Sequence, residues 1–505
     1  MNALGALEVL RVPARQAAGT KPKPQGEWPP KLEETPASPH ADLANAHRLV
    51  KHKGAGLAYV STMGWLYWRK TGPWKRGELE ARKAAFCLGR IIAKESTELS
   101  KKAGDIEDEA ARKDAMRQAE DRMKWARASE SRKSVLSALS MAEPLLAVDS
   151  EKVDADPLLL GCPNGTLDLQ TGILRPHDPS DWITMTTRAH FDPRAQAPTW
   201  ARFVREIMCG DQELVDWLQA FCGLCLTGLT TEHLLVVAWG NGSNGKSTFI
   251  GALEHVFGDY AKPAGPGLLM KKRNEGHPTE RMDLRGARLV IASESDEGER
   301  LAEDKVKALT GGDTIKGRWM KKDLEAFPPT HKLFLQTNHR PPVSGTDNGI
   351  WRRVKLVPFA ATFSEEAKDL QMPEKLKAEA PGILRWCMEG LQKYLRAGRF
   401  PPCKAIELAS KQYREECDLL GQFIGEECTT GPGFRATSRE LYEAFRAWAA
   451  DNGAVHIWTK KTFGMRMSER GFTEHRSNTA RGWEGLYVNA EAPPTPRKSY
   501  GSRSG

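Results

Sequence analysis

Apolar positions change their period several times along the chain, and each change marks a different kind of structure. Between residues 55 and 76, short aromatic runs such as Leu57-Ala58-Tyr59-Val60 and Trp65-Leu66-Tyr67-Trp68 have the length of strands. Residues 77–147 are rich in Ala, Glu, Lys and Arg with few Gly or Pro, which predicts helices. Within them, residues 101–132 are charged nearly all round, the pattern of a solvated helical face. GCPNGTLDLQTGIL at 161–174 predicts a hairpin-like excursion, with Asn-Gly and Thr-Gly supplying the turns. Helical spacing returns over 200–229. From about 232 to 359 the order becomes apolar strand, glycine loop, helix, strand, helix, strand, the signature of an α/β layer on a mainly parallel sheet. A second helical stretch runs to about 427. Residues 438–488 then read helix, helix, turn and a final strand pair. No internal repeat is present.

A chain of 505 residues is too long for one compact core. The pattern divides it into a flexible tail or linker at 1–45, a mainly helical domain at 46–200 and the α/β domain at 201–375. A helical C-terminal module at 376–490 and a flexible tail at 491–505 complete it. The first segment carries KPKPQGEWPPKLEETPASPH, rich in Pro, Lys and Glu.

Composition narrows the function. The chain is 40% hydrophobic and 28% charged, with a mean hydropathy of −0.52. No apolar run approaches the roughly 18 residues of a membrane span, and the start lacks a basic segment followed by an apolar core. These features predict a cytoplasmic protein with no membrane partner. The nine cysteines are scattered. Cys222 and Cys225 alone form a Cys-x-x-Cys, in an apolar stretch with no second pair at zinc spacing, so they read as helix core. A net charge of +9 permits a polyanionic partner such as nucleic acid. It equally suits a basic solvated surface, so location has to decide.

Gly240-Asn241-Gly242-Ser243-Asn244-Gly245-Lys246-Ser247 fits G-x-x-x-x-G-K-[ST] without a mismatch. It follows an apolar strand and opens a helix at Thr248, the context this motif requires. Glycines let backbone N–H groups turn inward onto phosphate oxygens, and the helix offers its positive end to the same anion. Lys246 would reach the β- and γ-phosphates of ATP, and the Ser247 hydroxyl would reach Mg2+.

An ATP-hydrolysing site also needs a carboxylate to hold magnesium and polarise water. Arg288-Leu289-Val290-Ile291-Ala292-Ser293-Glu294 supplies it at a strand end. Glu294 is the first choice; Asp296 and Glu297 either share the work or begin the next loop. A third strand ends at Asn338, whose amide can orient the attacking water or simply close a turn. Arg352 and Arg353 precede another apolar strand. Either can be offered to a neighbouring subunit's γ-phosphate, or serve as an ordinary ion-pair partner.

In this order, GNGSNGKST, LVIASESDE, KALTGGDTIKGRWMKKDLEAFPPTHKLFLQTN and GIWRRVKLVPF resemble the superfamily 3 helicases. The chain looks most like the helicase half of phage/plasmid and poxvirus-type primase-helicases, over about residues 59–488. The resemblance implies an AAA+-like P-loop ATPase domain, preceded by a helicase-associated domain. It implies a ring, usually a homo-hexamer, with ATP between subunits and 3′ to 5′ movement along one DNA strand. By position, Lys246 and Ser247 are Walker A, Glu294 the Walker B acid and Asn338 sensor 1. Arg352 or Arg353 is the arginine finger. Ser295 interrupts the adjacent acidic pair, which leaves the second acid open.

Lys307, Lys316, Arg318, Lys321 and Lys322 lie between the acidic strand and the Asn338 strand. Residues 314–320 alternate like a strand and Lys321-Lys322-Asp323 would reverse it. Such a hairpin can grip phosphates in a ring's channel, or be a basic surface hairpin; the resemblance favours DNA. Residues 438–488 fit a winged-helix-like module whose second helix, 462–470, would enter a groove, or a plain helical cap. Asp154 and Asp156 mimic part of a primase carboxylate pair but read as a loop beside Pro157, so no primer synthesis is expected. Together these readings predict a replication helicase acting on single-stranded and forked DNA, with a separate primase as candidate partner. The alternative is a P-loop initiator or packaging motor that hydrolyses ATP without unwinding.

Overall fold

A strand buried on both faces needs apolar residues at nearly every position. Leu235–Trp239, LVVAW, meets that requirement and occupies an interior place in a five-stranded sheet. In spatial order the strands are Val354–Pro358, Leu235–Trp239, Lys332–Thr337, Leu289–Ser293 and Ala261–Pro263, and every pairing is parallel. The protein is therefore a mixed α/β chain built on a parallel sheet, as its pattern predicts. The computed structural model describes residues 28–32, 36–69, 72–265, 267–271, 279–293, 299–318, 324–343, 348–452, 457–476 and 481–489.

Period-two alternation divides the sheet's side chains between two cores. Val236, Ala238, Ile291 and Phe334 face one hydrophobic cluster; Leu235, Val237, Val290, Leu333 and Leu335 face the other. The first cluster joins Leu160, Leu167 and Leu169 on one side to Ile383, Leu384, Leu391 and Tyr394 on the other. The expected divisions at 200 and 375 therefore run through a single core. Helix Ala380–Ala397 lies hard against helix Gln212–Leu224. A Cβ on Gly390 would stand 2.0 Å from the Gln219 carbonyl, so this crossing needs a glycine.

Two buried cations fasten the opposite end of the sheet. The Arg288 guanidinium lies 4.5 Å from the Tyr260 ring centre and donates to the carbonyls of Leu159, at 2.6 Å, and Leu226. Lys332 donates to the carbonyls of Thr227 and Leu229. These contacts hold the segment that leads helix Gln212–Leu224 into the strand Leu235–Trp239. Burial pushes the Lys332 ammonium down to about 7.

The first 200 residues combine helices with two small antiparallel sheets. One sheet contains Leu57–Val60, Gly64–Trp68 and Trp74–Arg76; the other contains Leu159–Cys162, Gly165–Asp168 and Ile173–Arg175. Helix Glu109–Ala128 buries only Ala119 and Ala126, the solvated face its charge predicts. Asp154 sits in a loop, as expected, but its carboxylate is an internal anchor accepting from Thr184 N at 2.8 Å. Its burial raises the acid's pKa.

Two expectations need correction. The segment 1–45 is not wholly a tail: the Trp28 and Trp182 ring centres lie 5.0 Å apart, and helix Asp42–Lys53 starts inside it. Aromatic burial outweighs the Pro-rich composition there. The C-terminal module also has a strand the pattern did not reveal, Cys428–Thr437, which pairs antiparallel with Arg481–Val488. Gly431, Pro432 and Gly433 interrupt it, and the pairing accommodates them as a register shift between Thr430 and Arg435. With Thr473–Arg476 these strands form a three-stranded sheet against helices Leu419–Glu427, Ser438–Asp451 and Lys460–Glu469. No helix among the described residues is long and apolar enough to cross a membrane.

Candidate active site

Parallel strands bring the loops after their C-terminal ends to one edge. Thr337 is level with Trp239, and Gln336 with Ser293, so these three strands end side by side. Residues 240–247 connect Leu235–Trp239 to helix Lys246–Phe257. Gly242, Ser243 and Gly245 all have positive φ, at 89°, 47° and 81°. At Gly245 a Cβ would also meet Ile207 Cγ2 at 2.4 Å, so the turn into the helix requires glycine twice over. The chain leaving the neighbouring strand Val354–Pro358 braces this loop. Asn244 Nδ2 donates to Phe359 O at 3.2 Å, and Phe363 N donates to Ser243 O at 2.9 Å.

Lys246 is 2% exposed. Its ammonium donates to Gly240 O at 2.5 Å and to Asn338 Oδ1 at 3.2 Å. Both acceptors are neutral, and burial lowers the ammonium's pKa. A buried cation held by neutral oxygens at a helix N-terminus suits an incoming anion. The donor set therefore fits a nucleotide's phosphates, with Lys246 and the 240–248 backbone as their holders. The exposed Ser247 hydroxyl accepts from Gln336 Nε2 at 2.9 Å and is the described oxygen placed to reach a magnesium ion beside those phosphates.

Lys246, Ser247 and Asn338 are thus brought together. Gln336 joins them, and sequence reasoning missed it. Its signal was available: two residues before Asn338 on a strand, it shares that residue's side of the sheet. The strand expected to present Glu294 is described as far as Ser293; Glu294, Asp296 and Glu297 lie outside the described residues.

The two arginines part company. Arg353 is buried, donating from Nε to Thr310 Oγ1 at 3.0 Å and from Nη1 to Gly349 O at 2.7 Å. Arg352 is exposed. Alternate side chains following helix Asn348–Trp351 thus face the core and the surface.

The candidate hairpin is present at its base. Ile315–Gly317 pairs antiparallel with Glu325–Phe327, with Lys316 opposite Ala326 and Gly317 opposite Glu325. Lys316 and Arg318 are exposed; Lys321 and Lys322 lie outside the described residues. Lys307 is separate from the hairpin, on helix Glu303–Thr310. Cys222 and Cys225 are buried free thiols in the sheet's helical layer, and burial pushes Cys225 up to about 12.

Three family profiles match along the chain: "D5 N terminal like" over 46–209, "Family of unknown function (DUF5906)" over 238–353, and "Poxvirus D5 protein-like" over 415–485. The chain resembles the poxvirus D5-type primase-helicases. A candidate helicase of Acanthamoeba polyphaga mimivirus is 29% identical over 352 residues, 65% of this chain and 36% of the relative. A candidate helicase of Invertebrate iridescent virus 6 is 25% identical over 254 residues, 48% of this chain and 26% of the relative. A candidate primase of African swine fever virus is 23% identical over 350 residues, 63% of this chain and 35% of the relative. This D5-like chain therefore spans about a third of the length of the curated relatives it matches. Among solved structures, the apo NrS-1 C-terminal region aligns with a TM-score of 0.36 at 12% identity, over 55% of this chain and 64% of that one. That score is too low to decide the fold, which rests on the strand pairings themselves.

Proposed function

We propose that this D5-like chain is an ATP-driven DNA helicase of the superfamily 3 kind. It serves replication of a phage or other mobile element, as a ring on single-stranded DNA in the host cytoplasm. The observation that carries this reading is the Lys246 ammonium, buried between Gly240 O and Asn338 Oδ1 at the tips of two adjacent parallel strands. A phosphate-holding cation and a water-orienting amide on neighbouring strands are what γ-phosphate hydrolysis requires of a protein.

In this reading residues 201–375 form an AAA+-like P-loop domain. The 240–248 backbone and Lys246 hold the phosphates, and Ser247 and Glu294 hold Mg2+. ATP with its magnesium supplies the scissile phosphoanhydride and part of the charge neutralisation. Asn338 holds the attacking water, and Gln336 keeps the Ser247 hydroxyl turned toward the metal. Arg352, exposed at the surface, reaches the site of a neighbouring subunit. Lys316, Arg318, Lys321 and Lys322 grip the strand in the central channel, and Lys307 meets it from helix Glu303–Thr310. The C-terminal module acts as a winged helix on duplex DNA at the fork, and a separate primase supplies primers.

A forked-DNA unwinding assay on the full chain tests the proposal. Strand separation that needs hydrolysable ATP and is lost in Lys246→Ala is the expected outcome. Hydrolysis stimulated by single-stranded DNA without strand separation would refute the helicase reading and leave an initiator or packaging motor.

A further inference from the structure

Arg285 stands where three parts of the molecule meet. It follows the short helix Thr279–Met282 and precedes the strand Leu289–Ser293. Its Nη1 donates to Glu325 Oε2 at 2.9 Å, on the returning strand of the hairpin, and to Thr62 Oγ1 at 3.3 Å. Thr62 lies in the turn between strands Leu57–Val60 and Gly64–Trp68 of the N-terminal sheet. Its Nη2 donates to Ser150 O at 3.4 Å, where the N-terminal module's chain begins the turn Ser150–Lys152. The Arg285–Glu325 pair is largely enclosed, at 25% and 15% side-chain exposure.

The hairpin's two faces do different things. Ile315 and Phe327 are buried, and Gly317 and Glu325 share their inward side; Lys316 and Arg318 point outward and are exposed. Glu325 pairs opposite Gly317, the residue that separates the two outward cations along the strand. A planar guanidinium that serves three acceptors at once fixes an orientation that a single bond would not.

We infer that Arg285 is a positioning residue for DNA binding. It ties the inner face of the hairpin to the N-terminal module, and so sets where Lys316 and Arg318 meet the strand. This inference rests on the hairpin being the DNA contact proposed above. It adds that the hairpin's aim is held from outside the α/β domain, so the N-terminal module takes part in gripping DNA without touching it.

The test is the affinity of the full-length protein for a fluorescein-labelled single-stranded oligothymidylate. Fluorescence anisotropy reads it across a range of salt, with a non-hydrolysable ATP analogue present. Each phosphate contact on a single strand contributes about 0.7 to the slope of log affinity against log salt. Lys316→Ala combined with Arg318→Ala should lower the slope by about 1.4. Arg285→Ala should lower it by about 0.7 or more while removing no phosphate contact of its own. In the Lys316→Ala/Arg318→Ala background, Arg285→Ala should change affinity by less than about twofold, since it acts through those side chains. Arg285→Glu should bind weakly, because a carboxylate there repels Glu325 and cannot donate to the Ser150 carbonyl.

General destabilisation would instead give the same loss with and without Lys316 and Arg318. That result overturns the inference, as does a wild-type slope in Arg285→Ala. Arg285→Lys, which keeps the charge but loses the fork, should fall between and guards against a misfolded alanine variant. If Lys316→Ala/Arg318→Ala leaves the slope unchanged, the hairpin reading itself fails and takes the inference with it.

Discussion

Two adjacent arginines should give opposite phenotypes when truncated. Arg353 is buried, with its guanidinium donating to Thr310 Oγ1 at 3.0 Å and to Gly349 O at 2.7 Å. Its own carbonyl accepts from Leu235 N at the start of the strand Leu235–Trp239. Arg353→Ala removes two charge-assisted bonds and leaves a cavity next to that strand. Bonds of this kind contribute about 1.5–3 kcal/mol each, net of the bonds to water they replace, so the two together give about 3–6 kcal/mol. At about 2–4 °C per kcal/mol for a domain of this size, the thermal transition should fall by roughly 6 °C or more. Arg352 is exposed, and its replacement by Ala should cost less than about 0.5 kcal/mol. If it completes a neighbour's site, turnover should nevertheless fall about a thousandfold. Circular dichroism melting and steady-state ATP hydrolysis separate the two effects. A mixing experiment then asks where Arg352 acts. Lys246→Ala subunits retain Arg352, and Arg352→Ala subunits retain Lys246, so rings of both should recover part of the turnover neither has alone. A wild-type melting curve for Arg353→Ala would refute the assignment of its side chain to the core. Wild-type turnover for Arg352→Ala, or no recovery on mixing, would refute the shared site.

Other perturbations follow from single contacts. Lys246→Ala should abolish hydrolysis and weaken binding of a fluorescent ATP analogue; full turnover without the ammonium would remove the basis of the proposed mechanism. Gln336→Ala frees the Ser247 hydroxyl. Its turnover should need more magnesium, and an unchanged magnesium titration would deny Gln336 its orienting role. Gly390→Ala places a methyl 2.0 Å from the Gln219 carbonyl, an overpacking of about 1–3 kcal/mol that urea unfolding should reveal. Lys332 gives a pH signature. Its folded pKa of about 7 lies below the ordinary 10.5, so the unfolded chain binds more protons between those values. Stability from this group therefore rises with pH from about 7 to 10.5 and is lost as pH falls back through 7. Lys332→Met should flatten that rise relative to wild type; parallel curves would place the charge in water.

The parallel strands were legible because such a sheet leaves a strong mark. Leu235–Trp239, Leu289–Ser293 and Lys332–Thr337 are apolar almost throughout, and each is flanked by helical spacing. Lys246 and Asn338 meet because the fold makes two of these strands neighbours, and residues at the ends of adjacent parallel strands converge. What stayed hidden depended on the partner a residue finds in space. Residue type gave no means of telling Arg352 from Arg353. Only the fold supplies Thr310 and Gly349 to one of them and solvent to the other. The strand Cys428–Thr437 was hidden by Gly431, Pro432 and Gly433, since a bulge tolerates the residues that ordinarily break a strand. Lys332 is the sharpest case. A lysine at the start of an apolar strand reads as a boundary marker, yet here its chain carries the ammonium into the Thr227 and Leu229 carbonyls, in the connection that follows helix Gln212–Leu224. Patterns of apolar residues report which elements exist. The buried charges report how those elements are joined, and their partners become known only when the chain is folded.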